Sequence, residues 1–580
     1  MKILAIHAQH NATCAYMVDG QIKAVVSEEK FSNIKNDASF PVQSISYIID
    51  HYQVINFDAV IICAEQCSIV ENGKQIIQGQ GARRAFFKNA FDKLVIKMHE
   101  FGASGLYRAY QNYKFNRQKG LRQKAIKAYI DKLDLFKYDE FIFYDHHDCH
   151  AYASYGALRD INDPSEALVL TADGQGDFSC ARVYKASNKG LVRIANSYWT
   201  NSIGELYGKM TKLLGMKQLE HEYKVMGLAP YAEDKDYYKA TRDELFEGLV
   251  KVNDDLTFSA KYPMHLIDKI LAPKIAYHRF DNIAAALQTY TEDLITTWVS
   301  KCIAKTGLST VYTGGGLFMN VKANKRIEEM TDVGNTHFMP SCGDESLPIG
   351  GCYKYYFDQT GDLGKPLSNI YLGPEYSNDE INSFIKENNL NTRYEIEFIE
   401  DMDDKIADLL AEGKVVARFQ GRTEWGARSL GNRAILARPD RMESFFKVND
   451  QVKMRDFWMP FAPSMLRETY QNYIEADAGQ IAPYMITSFD SLAKGRTDFC
   501  AAIHNRDKTL RAQIVDQHVN PKYHYLISKF HQLTGIGGVL NTSFNLHGYP
   551  LVCSPEQALF TIDKCHLKYL ALENYLLIKK

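Results

Sequence analysis

The chain has 580 residues, of which 46% are hydrophobic and 24% are charged, and 68 basic against 70 acidic side chains give a formal charge of −2 at pH 7. A single hydrophobic core does not reach this length, so roughly three to four structural units are expected. Nucleic-acid-binding proteins carry a basic excess over a domain-sized stretch. The near-neutral balance therefore argues against nucleic acid as a partner and favours a small-molecule substrate.

The cysteines and the apolar runs predict where the protein resides. Its 11 cysteines form no CxxC pair and no regular spacing, which indicates reduced thiols rather than a disulfide framework. The N-terminal residues lack the apolar core of a signal peptide, and no run of about 18 apolar residues indicates a membrane span. We therefore expect a soluble cytoplasmic α/β protein that has no membrane partner.

A strand and hairpin pattern occurs twice in the N-terminal half. Residues 2–27 alternate short apolar strands with a polar turn and an Asp-Gly hairpin signal, and residues 167–195 repeat this order. The repeat predicts two related half-domains. Between them, residues 70–135 are rich in Lys, Arg, Phe and Tyr, a composition that predicts a mainly helical, solvated amphipathic insertion.

A cluster of Gly, Pro, Ser and Asn at 361–377 marks a domain boundary. After it, the pattern of residues 378–388 predicts a helix and that of residues 574–578 a final strand. The chain is therefore predicted to have two parts, residues 1–365 and residues 366–580.

The segment YDHHDCHAYASYGAL at 144–158 joins the end of an apolar strand to the start of a helix. His146 and His150 are four residues apart, so they project from one helix face, as two ligands of one metal ion must. Neutral imidazoles suit Fe, Zn, Co or Ni, and a carboxylate would complete the site. Asp344 in CGDESLPIG is a candidate third ligand, but spacing alone does not select it over Glu345. Surface histidines at a capped helix start are the alternative.

Two glycine-rich turns follow apolar strands, where a missing side chain lets backbone amides approach a phosphate. The residues that carry this prediction are Asp173, Gly174 and Gly176 in TADGQGD, and Gly314, Gly315, Gly316 and Asn320 in VYTGGGLFMN. Both turns favour nucleotide contacts in the first domain. Tight packing of a turn against a sheet is the alternative.

The C-terminal part contains RFQGRTEWGARSLGNRAILARP at 418–439, with five arginines between glycines and small residues. Apolar residues interleave with these arginines, so the segment is expected to be partly buried, and buried cations need anions. Arginine forks bind phosphate through two parallel contacts, which makes polyphosphate the expected ligand. A basic surface loop is the alternative. Lys453, Arg455 and Arg511 follow, and GGVLNTSFN at 537–545 supplies hydroxyl and amide donors.

Taken together, these motifs resemble those of a known family. They are, in chain order, IHAQHNATCAYMVDGQIKAVVSEEKF, DHHDCHAYASYG, LTADGQGD, EYKVMGLAPYA, TGGGLFMNVKAN, CGDESLPIG, QGRTEWGARSLGNRAILARP, PFAPSML, LRAQIV and LNTSFNLHGYPLV. They cover nearly the whole chain and resemble the O-carbamoyltransferases of nodulation-factor, aminoglycoside and related antibiotic biosynthesis. Each motif is modest alone, and their shared order makes the resemblance specific.

The resemblance implies an actin-like, duplicated ribonuclease-H-type domain followed by a twisted α/β domain similar to threonylcarbamoyl-adenylate synthase. By that resemblance, the second domain converts carbamoyl phosphate and ATP, with Mg, into carbamoyl adenylate and releases pyrophosphate. The first domain then transfers the carbamoyl group to a hydroxyl of a small molecule or sugar and releases AMP. A mixed anhydride with AMP is a better acylating agent than carbamate, provided that water is excluded.

The resemblance also implies roles for individual positions. His146, His150 and Asp344 would hold Fe(II) or another divalent metal, and His10 would act as the general base on the acceptor hydroxyl. The implied nucleotide-binding positions of the first domain are Asp173, Gly174, Gly176, Lys224, Gly314, Gly315, Gly316 and Asn320. The implied positions for ATP and carbamoyl phosphate in the second domain are Arg418, Arg428, Lys453, Arg455, Arg511, Asn541, Ser543 and Asn545.

Three positions depart from the family pattern: Asn11 replaces an expected aspartate, His547 a frequent arginine and Ala482 a usual serine. Three rival functions remain open. A sugar kinase or other actin-like ATPase predicts no use for His150. A tRNA threonylcarbamoyl-modifying protein predicts salt-sensitive tRNA binding, and a nucleotide-sensing regulator predicts ATP binding without pyrophosphate release. The sequence identifies neither the acceptor nor the oligomeric state, for which a homodimer is considered.

Overall fold

The computed structural model describes residues 1–71, 74–77, 85–476 and 482–580. They form two compact units, the first from Met1–Glu28 and Asn36–Leu367, the second from Glu29–Lys35 and Ser368–Lys580. Within the described ranges, no helix is both long enough and apolar enough to cross a membrane. The 11 cysteines, all of which are described, are free thiols.

Two five-stranded sheets form the frame of the first unit. The strands of this unit are β1 (Lys2–His7), β2 (Thr13–Val18), β3 (Gln21–Ser27), β4 (Asn56–Cys63), β5 (Ile69–Glu71), β6 (Lys74–Ile77), β7 (Lys137–Tyr144), β8 (Ala167–Gly176), β9 (Ser179–Ser187), β10 (Gly190–Tyr198), β11 (Val250–Val252), β12 (Phe258–Ala260), β13 (Thr310–Gly314) and β14 (Asn335–Phe338). The sheet orders are β3-β2-β1-β4-β7 and β10-β9-β8-β13-β14.

The two sheets have the same topology. In each, an antiparallel meander of three strands is followed by two strands that run parallel to the first. The central strands are apolar on both faces because helices cover the sheets, as burial of β1 and β4 shows. The shared topology confirms the predicted duplicated ribonuclease-H-type architecture.

Helices cover these sheets and form the predicted insertion. After α1 (Glu29–Ser32), which belongs to the second unit, the helices are α2 (Val42–Tyr52), α3 (Ala85–Glu100), α4 (Ser104–Leu133), α5 (His146–Leu158), α6 (Ile203–Leu213), α7 (Glu222–Leu228), α8 (Lys235–Leu245), α9 (Asp268–Ile275), α10 (Phe280–Thr306), α11 (Val321–Glu328) and α12 (Leu347–Thr360). The insertion predicted at 70–135 is helical in α3 and α4. Its positions 72–73 and 78–84 lie outside the described residues.

One eight-stranded sheet forms the centre of the second unit, in the order β15-β24-β23-β16-β17-β22-β18-β21. The strands of this unit are β15 (Tyr394–Phe398), β16 (Val416–Phe419), β17 (Arg433–Ala437), β18 (Ala462–Leu466), β19 (Phe489–Asp490), β20 (Thr509–Leu510), β21 (Gln513–Val515), β22 (Gly538–Ser543), β23 (Tyr569–Leu572) and β24 (Tyr575–Lys579). Its further helices are α13 (Asn378–Glu387), α14 (Met402–Ala411), α15 (Met442–Val448), α16 (Ala493–Asp498), α17 (Pro521–Thr534) and α18 (Pro555–Asp563).

Both faces of this sheet are buried, which explains its apolar strands. Val416 and Leu436 point into the core formed with α14 and α17. Their strand neighbours Ala417 and Ile435 point into the opposite core, formed with α13 and α18. Successive side chains of a strand alternate between faces, so each face of β16 and β17 needs apolar residues. The mixed α/β class predicted for the second part is confirmed.

Candidate active site

The first turn of α5 brings two imidazoles together. Asp145 caps the helix by accepting the backbone N–H of Asp148 at 3.1 Å. The four-residue spacing then places His146 and His150 on one face, with 4.7 Å between their ring centroids. Both side chains are buried. His147 turns away and contacts the Thr171 hydroxyl at 2.9 Å.

Two aspartates complete a four-residue group with these imidazoles. Asp173 Oδ2 lies 3.1 Å from His146 Nε2 and 3.4 Å from His150 Nε2. Asp344 Oδ1 lies 3.5 Å and 3.7 Å from the same two nitrogens. One ligand atom of each side chain lies within 4.8 Å of the other three, so the group could hold a metal ion. Two nitrogen and two oxygen donors suit a divalent transition metal.

The charge of this group favours a cation. Burial would lower the pKa of His146, but Asp344 and Asp173 outweigh it and raise this pKa to about 9. Burial would raise the pKa of Asp344, but His146, His150 and His7 lower it well below its usual value. Two carboxylates therefore face two imidazoles in a buried place, where a divalent cation neutralises their charge.

Two further side chains orient the imidazoles. The Ser346 hydroxyl donates to the Gly343 carbonyl at 2.8 Å and lies 3.1 Å from His150 Nδ1. Since that hydroxyl proton is already donated, Nδ1–H donates to Ser346, which leaves the lone pair of Nε2 facing the aspartates. Asp177 accepts the backbone N–H of His146 at 2.8 Å and fixes the start of the helix.

The loop after β1 lies beside this group. Nε2 of His7 is 3.5 Å from Asp344 Oδ2 and 3.1 Å from the carbonyl oxygen of His10. Asn11 donates to Glu345 at 3.0 Å. The structure thus places Asp344 in the group, while the side chain of Glu345 contacts Asn11, a choice that spacing left open. The sequence pattern gave His7 no role beyond a polar turn after the first strand. Asp173 was predicted as a nucleotide contact, and the structure brings it together with His146, His150 and Asp344.

The predicted glycine turns pack tightly around the group. A side chain at Gly176 would overlap the His146 ring, and one at Gly315, whose φ is +96°, would overlap the Ala172 carbonyl. A methyl group at Gly314 would meet the His150 carbonyl at 3.0 Å. By contrast, the nearest atom to a methyl group at Gly174 is Glu205 Oε1, at 3.9 Å. Close approach to α5 therefore explains Gly176 and Gly314, and close approach to β8 explains Gly315.

We expect Gly176→Ala to weaken metal binding by about 10- to 100-fold. The added methyl group would displace the His146 ring, and a misoriented ligand costs metal affinity of this size. Gly174→Ala is the matched control, since its methyl group meets no atom closer than 3.9 Å. Competition with a fluorescent chelator measures both affinities. Equal affinities of the two variants would contradict the role given to Gly176.

Lys224 and Asn320, the other predicted nucleotide positions of the first unit, lie outside the four-residue group. Asn320 caps α11 by accepting the Ala323 N–H at 3.1 Å, and its amide pairs with Gln288 at 2.9 Å and 3.0 Å. Gln288 in turn accepts from Tyr207 at 2.8 Å. Lys224 lies in α7. These contacts place Asn320 in a buried amide and hydroxyl network.

Arg182 holds the N-terminus of the histidine helix. Its guanidinium donates to both oxygens of Asp145 at 2.5 Å and 2.7 Å and to Asp148 at 3.0 Å, and its own side chain is 4% exposed. Burial would lower the pKa of Arg182, but Tyr184, Asp145 and Asp148 outweigh it and raise this pKa. No feature of the local sequence predicts this contact, because Arg182 is more than 30 residues from Asp145 and Asp148.

Arg182→Met is expected to lower the free energy of unfolding by about 3–5 kcal/mol, since it leaves two carboxylates uncompensated. Arg242→Met removes a half-exposed pair with Asp293 and should cost under about 1 kcal/mol. Urea denaturation of both variants provides the test. If Arg182→Met lowers the free energy of unfolding no more than Arg242→Met does, Arg182 does not stabilise the start of α5.

Lys453 ends a π-helical turn, Asn449–Lys453, and is buried in the second unit. Its ammonium donates to the carbonyl oxygen and hydroxyl of Ser543 at 2.5 Å and 3.2 Å, to the Asn545 carbonyl at 3.0 Å and to the Asn545 amide oxygen. All of these acceptors are neutral. Burial, with Arg455 and Lys35, lowers the pKa of Lys453 well below its usual value. A buried cation without a carboxylate partner suits an anionic ligand.

The end of β22 gathers the other predicted positions. Asn541 bonds Ser429, the neighbour of Arg428, and Gln513, two residues after Arg511. The Thr542 hydroxyl accepts from Arg455 at 3.2 Å. These contacts place Lys453 and Arg455 at the end of β22, and they place the chain neighbourhoods of Arg428 and Arg511 beside Asn541.

Arg418, also predicted to bind ATP or carbamoyl phosphate, has hydrogen-bond partners within the second unit. It is buried and donates to Asp403 at 3.0 Å and to the Gly431 carbonyl at 2.7 Å, so its charge is already paired. The sequence analysis missed Glu424, which is buried and accepts the N–H groups of Leu430, Asn432 and Arg433 at 2.8, 2.8 and 3.2 Å. These bonds fix the arginine-rich loop.

Two family models match the chain, "Carbamoyltransferase N-terminus" over residues 2–352 and "Carbamoyltransferase C-terminus" over residues 407–579. The protein therefore belongs to the carbamoyltransferase family and is an enzyme. This confirms the resemblance drawn from the motifs.

Three relatives illustrate the range of this family. An uncharacterised protein of Synechocystis sp. is 30% identical over 100% of this chain and 96% of its own. The nodulation protein NolNO of Sinorhizobium fredii is 26% identical over 98% of this chain and 79% of its own. A 3'-hydroxymethylcephem-O-carbamoyltransferase of Streptomyces clavuligerus is 30% identical over 46% of this chain and 48% of its own.

Proposed function

We propose that the protein is an ATP-dependent O-carbamoyltransferase that works in two steps. The second unit, predicted as residues 366–580, forms carbamoyl adenylate from carbamoyl phosphate and ATP. The first unit, predicted as residues 1–365, passes the carbamoyl group to a hydroxyl. The observation that carries this proposal is the presence, in one chain, of a buried lysine bonded only to neutral oxygens of Ser543 and Asn545 and of a histidine and aspartate group suited to a divalent cation.

Adenylation is assigned to the strand end of β22. Carbamoyl phosphate first loses phosphate to water, and an oxygen of the resulting carbamate attacks the α-phosphorus of ATP while pyrophosphate leaves. Charge builds up on the phosphate oxygens, and Arg428, Lys453 and Arg511 supply cations for them. Mg²⁺ is expected to bind with ATP, because substrate phosphates are its usual ligands in such sites.

Carbamoyl transfer is assigned to the histidine and aspartate group. His146, His150, Asp173 and Asp344 would hold a divalent cation, for which the resemblance implies Fe(II). When bound, that cation polarises a carbonyl oxygen or neutralises the phosphate of the leaving AMP. His10, on the loop beside Asp344, is proposed as the base that takes the proton of the acceptor hydroxyl as oxygen attacks the carbamoyl carbon.

The acceptor is proposed to be a hydroxyl of a small molecule or sugar, in natural-product or glycan biosynthesis. The relative from Streptomyces clavuligerus is named for a hydroxymethyl acceptor, which supports oxygen rather than nitrogen as the site of transfer. A neutral hydroxyl is a weak nucleophile and requires a good leaving group on the carbamoyl carbon. Adenylation supplies that leaving group as AMP.

Pyrophosphate release from ATP, with and without carbamoyl phosphate and without acceptor, tests the proposal. We expect release only when carbamoyl phosphate is present. Arg428→Ala should abolish it, and His150→Ala should leave it intact. Arg467→Ala, at an exposed pair with Asp516, and His51→Ala, at an exposed helix position, are the matched controls. Formation of ADP instead of pyrophosphate would favour a kinase and contradict the proposal.

A further inference from the structure

Helix α4 exposes a stripe of large apolar residues along its outer side. Leu106, Tyr110, Tyr113 and Leu121 are 69%, 47%, 65% and 72% exposed. Their spacing of four, three and eight residues places them on one helix face. We call these four residues the outer stripe. Several large apolar side chains exposed on one helix face are unusual on a protein surface and indicate an interaction site.

This stripe belongs to the most basic part of the chain. Residues 85–133, which hold α3 and α4, contain eleven lysines and arginines and three acidic residues, a formal charge of +8 in a chain of charge −2. Arg117 and Lys124 fall on the face of the outer stripe. The ion pairs of α4 are Lys119 with Glu65 and Lys127 with Asp131, and in the described part of the chain Arg117 and Lys124 form none.

The opposite side of α4 is its packing face. Tyr107 is buried and lies 6.5 Å from the ring of Trp199, and Phe115 meets Phe178 edge to face at 5.0 Å. Phe178 follows Asp177, the residue that accepts the backbone N–H of His146. These packing contacts are therefore made by residues of α4 that lie outside the outer stripe.

We propose that the outer stripe docks on an anionic lipid bilayer. Leucine and tyrosine side chains enter the boundary between headgroups and acyl chains, while lysines and arginines beside them meet anionic headgroups. A second copy of the chain is disfavoured as the occupant, because two segments of formal charge +8 would face each other. Nucleic acid would use the charges but not the leucines. The proposal replaces the expectation of no membrane partner, which rested on the missing membrane span.

Co-sedimentation of the full-length protein with vesicles tests this docking. The vesicles are phosphatidylcholine alone or mixed with phosphatidylglycerol, at low and high salt. We expect binding to the mixed vesicles that weakens as salt screens the charges. Arg117→Gln with Lys124→Gln should lower that affinity about 25-fold, at about fivefold for each basic residue. Leu106→Gln with Leu121→Gln should lower it about tenfold or more.

Tyr237→Gln, at an exposed position of α8, is the matched control and should bind as the original chain does. Because every substituted residue is exposed, unchanged circular dichroism verifies the fold of each variant. Equal binding to both kinds of vesicle, or binding that the outer stripe variants leave unchanged, overturns the proposal. So does salt-sensitive binding to an oligonucleotide that exceeds binding to vesicles. The readout is independent of carbamoyl transfer, so its outcome does not depend on the proposed function.

Discussion

Lys453→Met is expected to reduce carbamoyl-phosphate-dependent pyrophosphate release by about 100- to 1,000-fold, the usual cost of removing a buried group that stabilises transferring charge. Methionine keeps the length of the side chain and removes its charge. The four contacts of Lys453 are to neutral oxygens, so this ammonium is the buried cation that an entering phosphate would meet. Lys447→Met, at an exposed contact with the Gly413 carbonyl, is the matched control.

The lowered pKa of Lys453 gives this prediction a second readout. Between that lowered pKa and the usual value, the unfolded chain binds a proton at this lysine that the folded chain does not. The free energy of unfolding of the original protein should therefore rise with pH across this window relative to Lys453→Met. Urea denaturation at several pH values measures the difference. Full pyrophosphate release by Lys453→Met would remove Lys453 from the proposed site.

Asp344→Asn is expected to abolish stoichiometric metal binding and carbamoyl transfer while leaving pyrophosphate release unchanged. The substitution removes one of two carboxylates that face His146 and His150, and neutral amides are poor ligands for a divalent transition metal. Metal content by mass spectrometry and product formation in the presence of a hydroxyl acceptor measure the two effects. Glu345→Gln is the matched control, since this neighbouring carboxylate bonds Asn11 rather than the imidazoles.

Ser346→Ala should give an intermediate result in the same assay. It leaves all four ligands in place and removes only the acceptor that orients His150, a change that typically costs about 10- to 100-fold in metal affinity. If Asp344→Asn retained its metal, or if Glu345→Gln lost it, the assignment of the group would be wrong.

Much of the fold follows from local sequence patterns. Apolar strands joined by polar turns at 2–27 and 167–195 predicted both antiparallel meanders, and the helix predicted at 378–388 corresponds to Asn378–Glu387. These elements depend on neighbours in the chain, which a sequence displays directly. The eight-stranded sheet could not be predicted in the same way, because β16 pairs with β17 and β23, the latter more than 150 residues away.

The candidate site shows the same limit. The four-residue spacing of His146 and His150 was sufficient to place both on one face. Asp173 joins them only because β8 ends beside the start of α5, a relation that depends on sheet topology. The choice between Asp344 and Glu345 depends on the backbone of one short turn, and Ser346 matters only through its contact with His150. Residue spacing signals none of these relations, and only the family resemblance indicated Asp344.

The short segment Glu29–Lys35 affects how the chain folds during synthesis. It belongs to the second unit, where Gln557 donates to the carbonyl oxygen of Lys30 at 2.7 Å. Its partners begin at Ser368, so a ribosome adding about 5–20 residues per second delivers them about 17–70 s later. During that interval the emerging chain carries a segment that has no place to pack. A fragment that starts at Ser368 lacks this piece permanently, so cutting the gene there removes part of the second unit.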